Sequence, residues 1–259
     1  MEQDLSSRIA VVVGASAGIG KATATELVRR GATVVALARG EERLEKAVTE
    51  IAGTRADGPG SEITGIPCDA ADPAAVRDAF ARIGERFGRI DMLFNVLGTA
   101  RATRIADATD EEIATVIGTN LVAPVYTTRS AVPLLRAAGG GDIVNVSSEI
   151  TLDLFPYLTL YGTAKAGLEM FTKAMTKELK PEGIRVTLFI AGRTRTEFAM
   201  PMSPERAAEA RAAWDEDGCM RRVAGAAKME PEWVAEAIVF AATRPRGQMI
   251  DVMQVRSFS

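Results

Sequence analysis

The chain contains no histidine. A Ser-His-Asp hydrolase, a histidine general base and a histidine-ligated zinc are therefore excluded, and acid–base chemistry must come from Tyr, Lys, Asp, Glu or Cys. Cysteine is almost as scarce: Cys68 and Cys219 lie far apart and match no metal-ligand spacing. Reduced thiols in a cytoplasmic protein are the simpler reading, with no metal expected. No apolar run approaches the ~20 residues of a membrane helix, so no membrane association is expected. The N-terminal stretch Met1-Glu2-Gln3-Asp4-Leu5 is acidic and lacks the apolar core of a signal peptide. A net charge of -3, with 31 basic residues scattered along the chain, gives no support for nucleic-acid binding.

What is present fits one well-buried α/β domain. The 259 residues are 47% apolar and 25% charged, ordinary values for a globular chain. Residues 8–13 form a β-branched run, followed at once by Gly14-Ala15-Ser16-Ala17-Gly18-Ile19-Gly20 and a helical pattern from Lys21 to Arg30. A strand, a glycine loop and a helix start form a setting for dinucleotide binding. The glycines let backbone approach a pyrophosphate, whose charge meets N–H groups at the helix N-terminus. Residues 32–38 read as a second strand ending at Arg39. An NAD enzyme usually holds the adenosine ribose there with a carboxylate. Ala38 and Arg39 stand in that place instead, so a 2′-phosphate is favoured and NADP(H) is expected over NAD(H). Ser16 and Arg43 are placed to assist.

Glu41 to Ile51 reads as a helix and 54–61 as a loop. A third strand over 62–67 leads to Cys68, Asp69 and Ala70, with Asp69 at the adenine edge. A helix over 73–87 with Pro at its first turn follows. A short buried strand, 91–94, runs into Asn95-Val96-Leu97-Gly98. A long helical region from about 109 to 138 carries Asn120, with Pro124 bending it or accommodated at a broken helical bond.

The strongest chemical signal lies between Ser148 and Lys165. Tyr161 and Lys165 are four residues apart at the start of a helical pattern, so they share one helix face. A phenol with a pKa near ~10 is a poor acid or base at neutral pH, and a nearby ammonium favours the phenolate. Ser148 ends the run Ile143 to Ser148, which reads as a buried parallel strand, and open α/β sheets gather ligands at such carboxyl ends.

From residue 8 to about 245 the chain resembles a short-chain dehydrogenase/reductase, on several signatures in order. They are the glycine loop, Asp69, Asn95 with Gly98, Asn120, Ser148, Tyr161, Lys165, Gly183-Ile184-Arg185-Val186, and then Gly192 with Thr196. The resemblance implies a doubly wound Rossmann fold in one domain, residues 1–259. Its seven parallel strands would run in the order 3-2-1-4-5-6-7, with helices on both faces. It also implies that Tyr161 is the acid–base and that Lys165 tunes it and binds the nicotinamide ribose. Ser148 would hold the substrate oxygen, and Asn120 would hold a water linking Lys165 to solvent. Gly14, Ser16, Ala17, Gly18, Ile19, Gly20, Arg39, Asp69, Ala70, Asn95, Gly98, Gly192, Thr194 and Thr196 would line the cofactor.

The sequence also departs from that family. Leu97 replaces a small residue and should tighten the pocket beside the nicotinamide. Ala191-Gly192 replaces Pro-Gly, which should loosen the following loop. Arg193 and Arg195 there face the cofactor, an acidic substrate or solvent. Glu149 is expected on the face opposite Ser148, in a structural role. Substrate specificity is expected from 150–160 (Ile150, Leu158) and from a variable lid at about 197–229 (Phe198, Met202). These apolar side chains suit a medium-sized ketone or alcohol. The lid includes a helix opened by Ser203-Pro204. A 3-oxoacyl-thioester (acyl-carrier-protein) reductase is the alternative, requiring a basic patch from Arg101, Arg104 and Arg129. A non-catalytic NADP-binding regulator is the alternative from another class. The small-molecule carbonyl or alcohol substrate is the expected partner, and a homo-oligomer is expected, with dimer and tetramer both open because the C-terminal tail is atypical.

Overall fold

Alternating aliphatic runs build the strands β1 (Ile9–Val13), β2 (Thr33–Ala38), β3 (Ile63–Pro67), β4 (Met92–Asn95), β5 (Gly141–Ser148), β6 (Ile184–Ala191) and β7 (Val252–Val255). The computed structural model describes residues 4–54, 61–198, 200–219 and 227–258. The strands pair in parallel as one sheet in the order β3-β2-β1-β4-β5-β6-β7. This is the expected doubly wound order, and it reverses direction between β1 and β4.

Strand side chains point alternately to the two faces, and each face is covered by helices. Val12, Val34, Ala36, Phe94, Val144 and Phe189 pack on one side against α1 (Gly18–Arg29), α2 (Glu41–Ala52) and α8 (Pro231–Ala242). Val11, Val13, Val35, Leu37, Leu93 and Ile143 face α3 (Pro73–Phe87), α5 (Ala123–Ala137) and α6 (Thr159–Leu179) on the other. The expected helix at 73–87 forms with those bounds. Asp72 caps it by accepting from the Ala74 N–H, and Gly88 ends it in the left-handed region at φ 70°.

The expected long helix over 109–138 is interrupted. It divides into α4 (Asp110–Ile117), a π-helical turn (Gly118–Val122) and α5. Pro124 lies in the first turn of α5, immediately after the widened turn. The widened turn carries Asn120. The lid helix is α7 (Pro204–Glu216), capped by Ser203. The expected loop around Gly58, Pro59 and Gly60, and Met220 in the lid, lie outside the described residues. Among the described residues, no helix is long and apolar enough to cross a membrane.

Candidate active site

The carboxyl ends of β1, β4, β5 and β6 open onto a cleft of about 810 Å³. Its floor at one end is the glycine loop. Gly14 has φ +89°, and a side-chain carbon there would lie 2.5 Å from the Val96 carbonyl oxygen; at Gly20 it would lie 2.2 Å from the Gly14 oxygen. Both positions therefore need glycine. Helix α1 begins immediately after, with no side-chain cap and no acidic residue in its first turn. Its first N–H groups and positive dipole end point to the cleft without competition.

Ser16, Ala17, Gly18 and Ile19 line this end, with Arg39, Arg43, Asp69 and Ala70 on the rim. Arg39 is exposed, and Arg43 is paired with Glu197 from the lid. Asp69 turns its carboxylate back to accept the Ala71 N–H at 3.0 Å.

At the other end stand Ser148, Tyr161 and Lys165. Ser148 closes β5, and Tyr161 lies on the first turn of α6. Burial pushes the Tyr161 phenol above its ordinary pKa, and a hydrogen bond with Ser148 pulls it partly back. Lys165 Nζ is 5.9 Å from the Tyr161 ring centroid and does not offset that rise, contrary to the simple expectation. Lys165 itself is buried. Its Nζ donates to the Val146 carbonyl at 2.9 Å and the Leu97 carbonyl at 3.3 Å. Burial lowers its pKa to about 8, opposed by the charge of Glu169 one turn further on.

Leu97, Gly98, Ile150, Leu158, Gly192, Thr194, Thr196 and Phe198 also line the cleft. The Phe198 ring lies 5.7 Å from that of Tyr161, so the lid covers the phenol. The loop after β6 is not left loose by its missing proline. Gly192 N–H donates to Val255 O at 2.8 Å, and the backbone of Arg193 and Arg195 pairs with Met229.

Three expected residues are not on the cleft wall. Asn95 is buried beneath it. Its amide donates to Asn145 Oδ1 at 2.8 Å, and its Oδ1 accepts from Thr127 at 2.7 Å. Asn145 donates in turn to Thr172 at 3.0 Å, completing a polar ladder across β4, β5, α5 and α6. Asn120 is fully buried, its amide group bonded to the Thr99 and Val116 backbone. Met202 packs in the cluster formed by Ala100, Ala102, Tyr157 and Ala210.

Glu149 corrects the sequence reading. It lines the cleft instead of facing away, and it accepts the Arg193 N–H at 3.0 Å. The strand ends at Ser148, and a 3₁₀ turn over Glu149–Thr151 breaks the alternation on which the expectation rested. Arg195 pairs with Glu230, whereas Arg193 lines the cleft. The three arginines of the alternative basic patch serve local contacts. Arg104 lies over Tyr157, Arg129 over Tyr126, and Arg101 donates to Thr99 and Ala100.

Comparison with known proteins places this geometry in context. A model of the short chain dehydrogenase family matches residues 8–207. An uncharacterized oxidoreductase of Staphylococcus haemolyticus is 28% identical over 253 residues, covering 98% of each chain. A metagenomic short-chain oxidoreductase solved in complex with NADP is 26% identical, with a TM-score of 0.80 over 99% of this chain and 100% of its own. The closed form of a serine dehydrogenase complexed with NADP+ is 26% identical, with a TM-score of 0.77 over 95% and 94%.

Proposed function

The chain belongs to the short-chain dehydrogenase family of oxidoreductases, and from that premise we propose that it uses NADP(H) to interconvert a ketone or aldehyde and an alcohol. The observation that carries this reading is the pairing of Tyr161 with Ser148 at one end of a cleft whose other end is the uncapped start of α1.

The residues present fit a dinucleotide. Without side chains at Gly14 and Gly20 the loop packs tightly on itself and on the Val96 carbonyl, and the N–H groups at the start of α1 would receive the charge of a pyrophosphate. Arg39 and Arg43 line the cleft and would offer guanidinium groups to a 2′-phosphate; Asp69 and Ala70 would flank the adenine, and Gly98, Gly192, Thr194 and Thr196 the nicotinamide. The NADP complexes of two structural neighbours support the same cofactor. When bound, the nicotinamide supplies or accepts the hydride.

The chain's own residues would do the rest. Ser148 would donate to the substrate oxygen as charge develops there. A phenol kept protonated by burial would deliver its proton to that oxygen, which suits the reductive direction at neutral pH. Lys165, held by two backbone carbonyls, would bind the ribose and keep a positive charge beside the phenol. Asn120 would orient a proton-carrying water behind it. Leu97, Ile150, Phe155, Leu158, Phe198 and Met200 would exclude water around a medium-sized, largely apolar substrate. Exposed Trp233, Phe240 and Val252 on α8 and β7 support association of copies into a homo-oligomer.

Titration with NADPH and with NADH, followed by nicotinamide fluorescence and repeated on Arg39→Asp, tests the cofactor. Tighter NADPH binding that the substitution removes is the expected result. Equal binding of both would sink the 2′-phosphate assignment, and binding of neither would sink the dehydrogenase reading.

A further inference from the structure

One carboxylate beside this site is not absorbed by the proposed mechanism. Glu169 lies on α6 one turn beyond Lys165 and two turns beyond Tyr161. Its Oε1 accepts from the Ser147 hydroxyl at 2.8 Å and from the Thr151 hydroxyl at 2.7 Å. Ser147 immediately precedes Ser148 on β5, and Thr151 ends the 3₁₀ turn that follows it. Thr151 also lies 3.0 Å from the Ser148 carbonyl, but its single proton can serve only one acceptor. A carboxylate is the stronger of the two. Ser147 is buried, and without Glu169 its hydroxyl would lose the only side-chain acceptor given to it among the described residues.

We propose that Glu169 is a positioning residue. By taking hydroxyl hydrogen bonds from both sides of Ser148, it fixes the end of β5 against the helix that carries Tyr161 and Lys165. The Ser148–Tyr161 hydrogen bond crosses between the same two elements, so its alignment depends on this clamp. The inference rests on the reading of Ser148, Tyr161 and Lys165 given above.

Three variants and one control test it. Glu169→Leu removes the shared acceptor, and the double variant S147A/T151V removes both donors while leaving the carboxylate. Each lowers kcat by about 10²-fold while the Kd for NADPH stays within roughly twofold. Glu169→Gln keeps a carbonyl acceptor and recovers most of the kcat lost in the leucine variant. Glu178→Gln, exposed on the same helix, leaves kcat unchanged. Wild-type kcat in a folded Glu169→Leu protein would overturn the clamp.

A second readout does not need turnover. The ultraviolet phenolate titration of Tyr161, assigned by difference from Tyr161→Phe, moves to higher pH in S147A/T151V as the Ser148 hydrogen bond is lost. An unmoved titration overturns the clamp. A wild-type protein that neither binds NADPH nor turns over instead overturns the dehydrogenase reading, and the titration still decides the clamp.

Discussion

Arg43 at the start of α2 forms an ion pair with Glu197 in the lid, joining two rims of the cleft across 154 positions of sequence. The pair makes Arg43 a contested group, because a 2′-phosphate and the Glu197 carboxylate would seek the same guanidinium. Both side chains are largely exposed, so the pair is worth at most about 1 kcal/mol. Glu197→Gln is therefore expected to tighten NADPH binding by roughly two- to fivefold and leave NADH binding unchanged. Fluorescence titration of the variant with both cofactors reads this directly. A loss of NADPH affinity would mean that the pair clamps the lid over the cofactor instead of competing with it.

Tyr161→Phe keeps the ring that packs beside Phe198 and deletes only the hydroxyl. Loss of a positioned acid–base group costs about 10²–10⁴-fold in kcat. Turnover should fall by at least that range, with the Kd for NADPH within roughly twofold of wild type. Stopped-flow assays on the variant decide the point. Retained turnover would transfer the proton to another group and remove Tyr161 from the mechanism.

The strands were legible because short aliphatic runs between glycine-rich turns read as buried parallel strands, whereas their order came only from the family resemblance. The glycine loop and the Tyr161–Lys165 pair were legible because their chemistry is local: a helix start or one helix turn contains the whole signal. The helix α8, by contrast, went unread, although Pro231 and its apolar face mark it. Residues whose role depends on distant partners were harder. Asn95 gave no sign that Thr127 and Asn145 would claim its amide from below the cleft. Glu149 was assigned to the wrong side because the turn after Ser148 is invisible to an alternation rule. Glu169 reads as an ordinary solvated helix carboxylate until β5 is laid against α6.

Asn95→Ala separates the buried ladder from cofactor contact. Removing the amide leaves Asn145 Oδ1 without its donor and takes the side-chain acceptor from Thr127, whose hydroxyl can still reach backbone carbonyls. The expected cost is about 1–3 kcal/mol of unfolding free energy, measured by urea titration. NADPH affinity of the folded variant should stay within roughly twofold, since the lost bonds are internal. Unchanged stability with weakened cofactor binding would restore Asn95 to the cleft wall.

Lys165 carries the clearest link between this site and stability. Its pKa falls from 10.5 to about 8 because burial strips water from the ammonium. The charged and titratable neighbours on its own helix are Tyr161 and Glu169, while the loop after β4 and strand β5 present it with the Leu97 and Val146 carbonyls. Below about pH 8 the lysine is protonated in both folded and unfolded chains, and the folded state bears the full cost of the buried charge. Between about 8 and 10.5 the unfolded chain holds the proton that the folded chain has released. Unfolding then takes up a proton, so this group's contribution to stability rises with pH and is lost as pH falls through about 8. Comparing wild type with Lys165→Met cancels the other titrating groups, including Cys68, whose pKa is raised to about 11 by burial and therefore acts in the opposite sense. The wild-type-minus-variant difference in unfolding free energy should increase by roughly 2 kcal/mol between about pH 7 and about 9.5. A difference that stays flat across that range would mean that Lys165 keeps an ordinary pKa, and that its charge is solvated or paired more fully than two carbonyl acceptors allow.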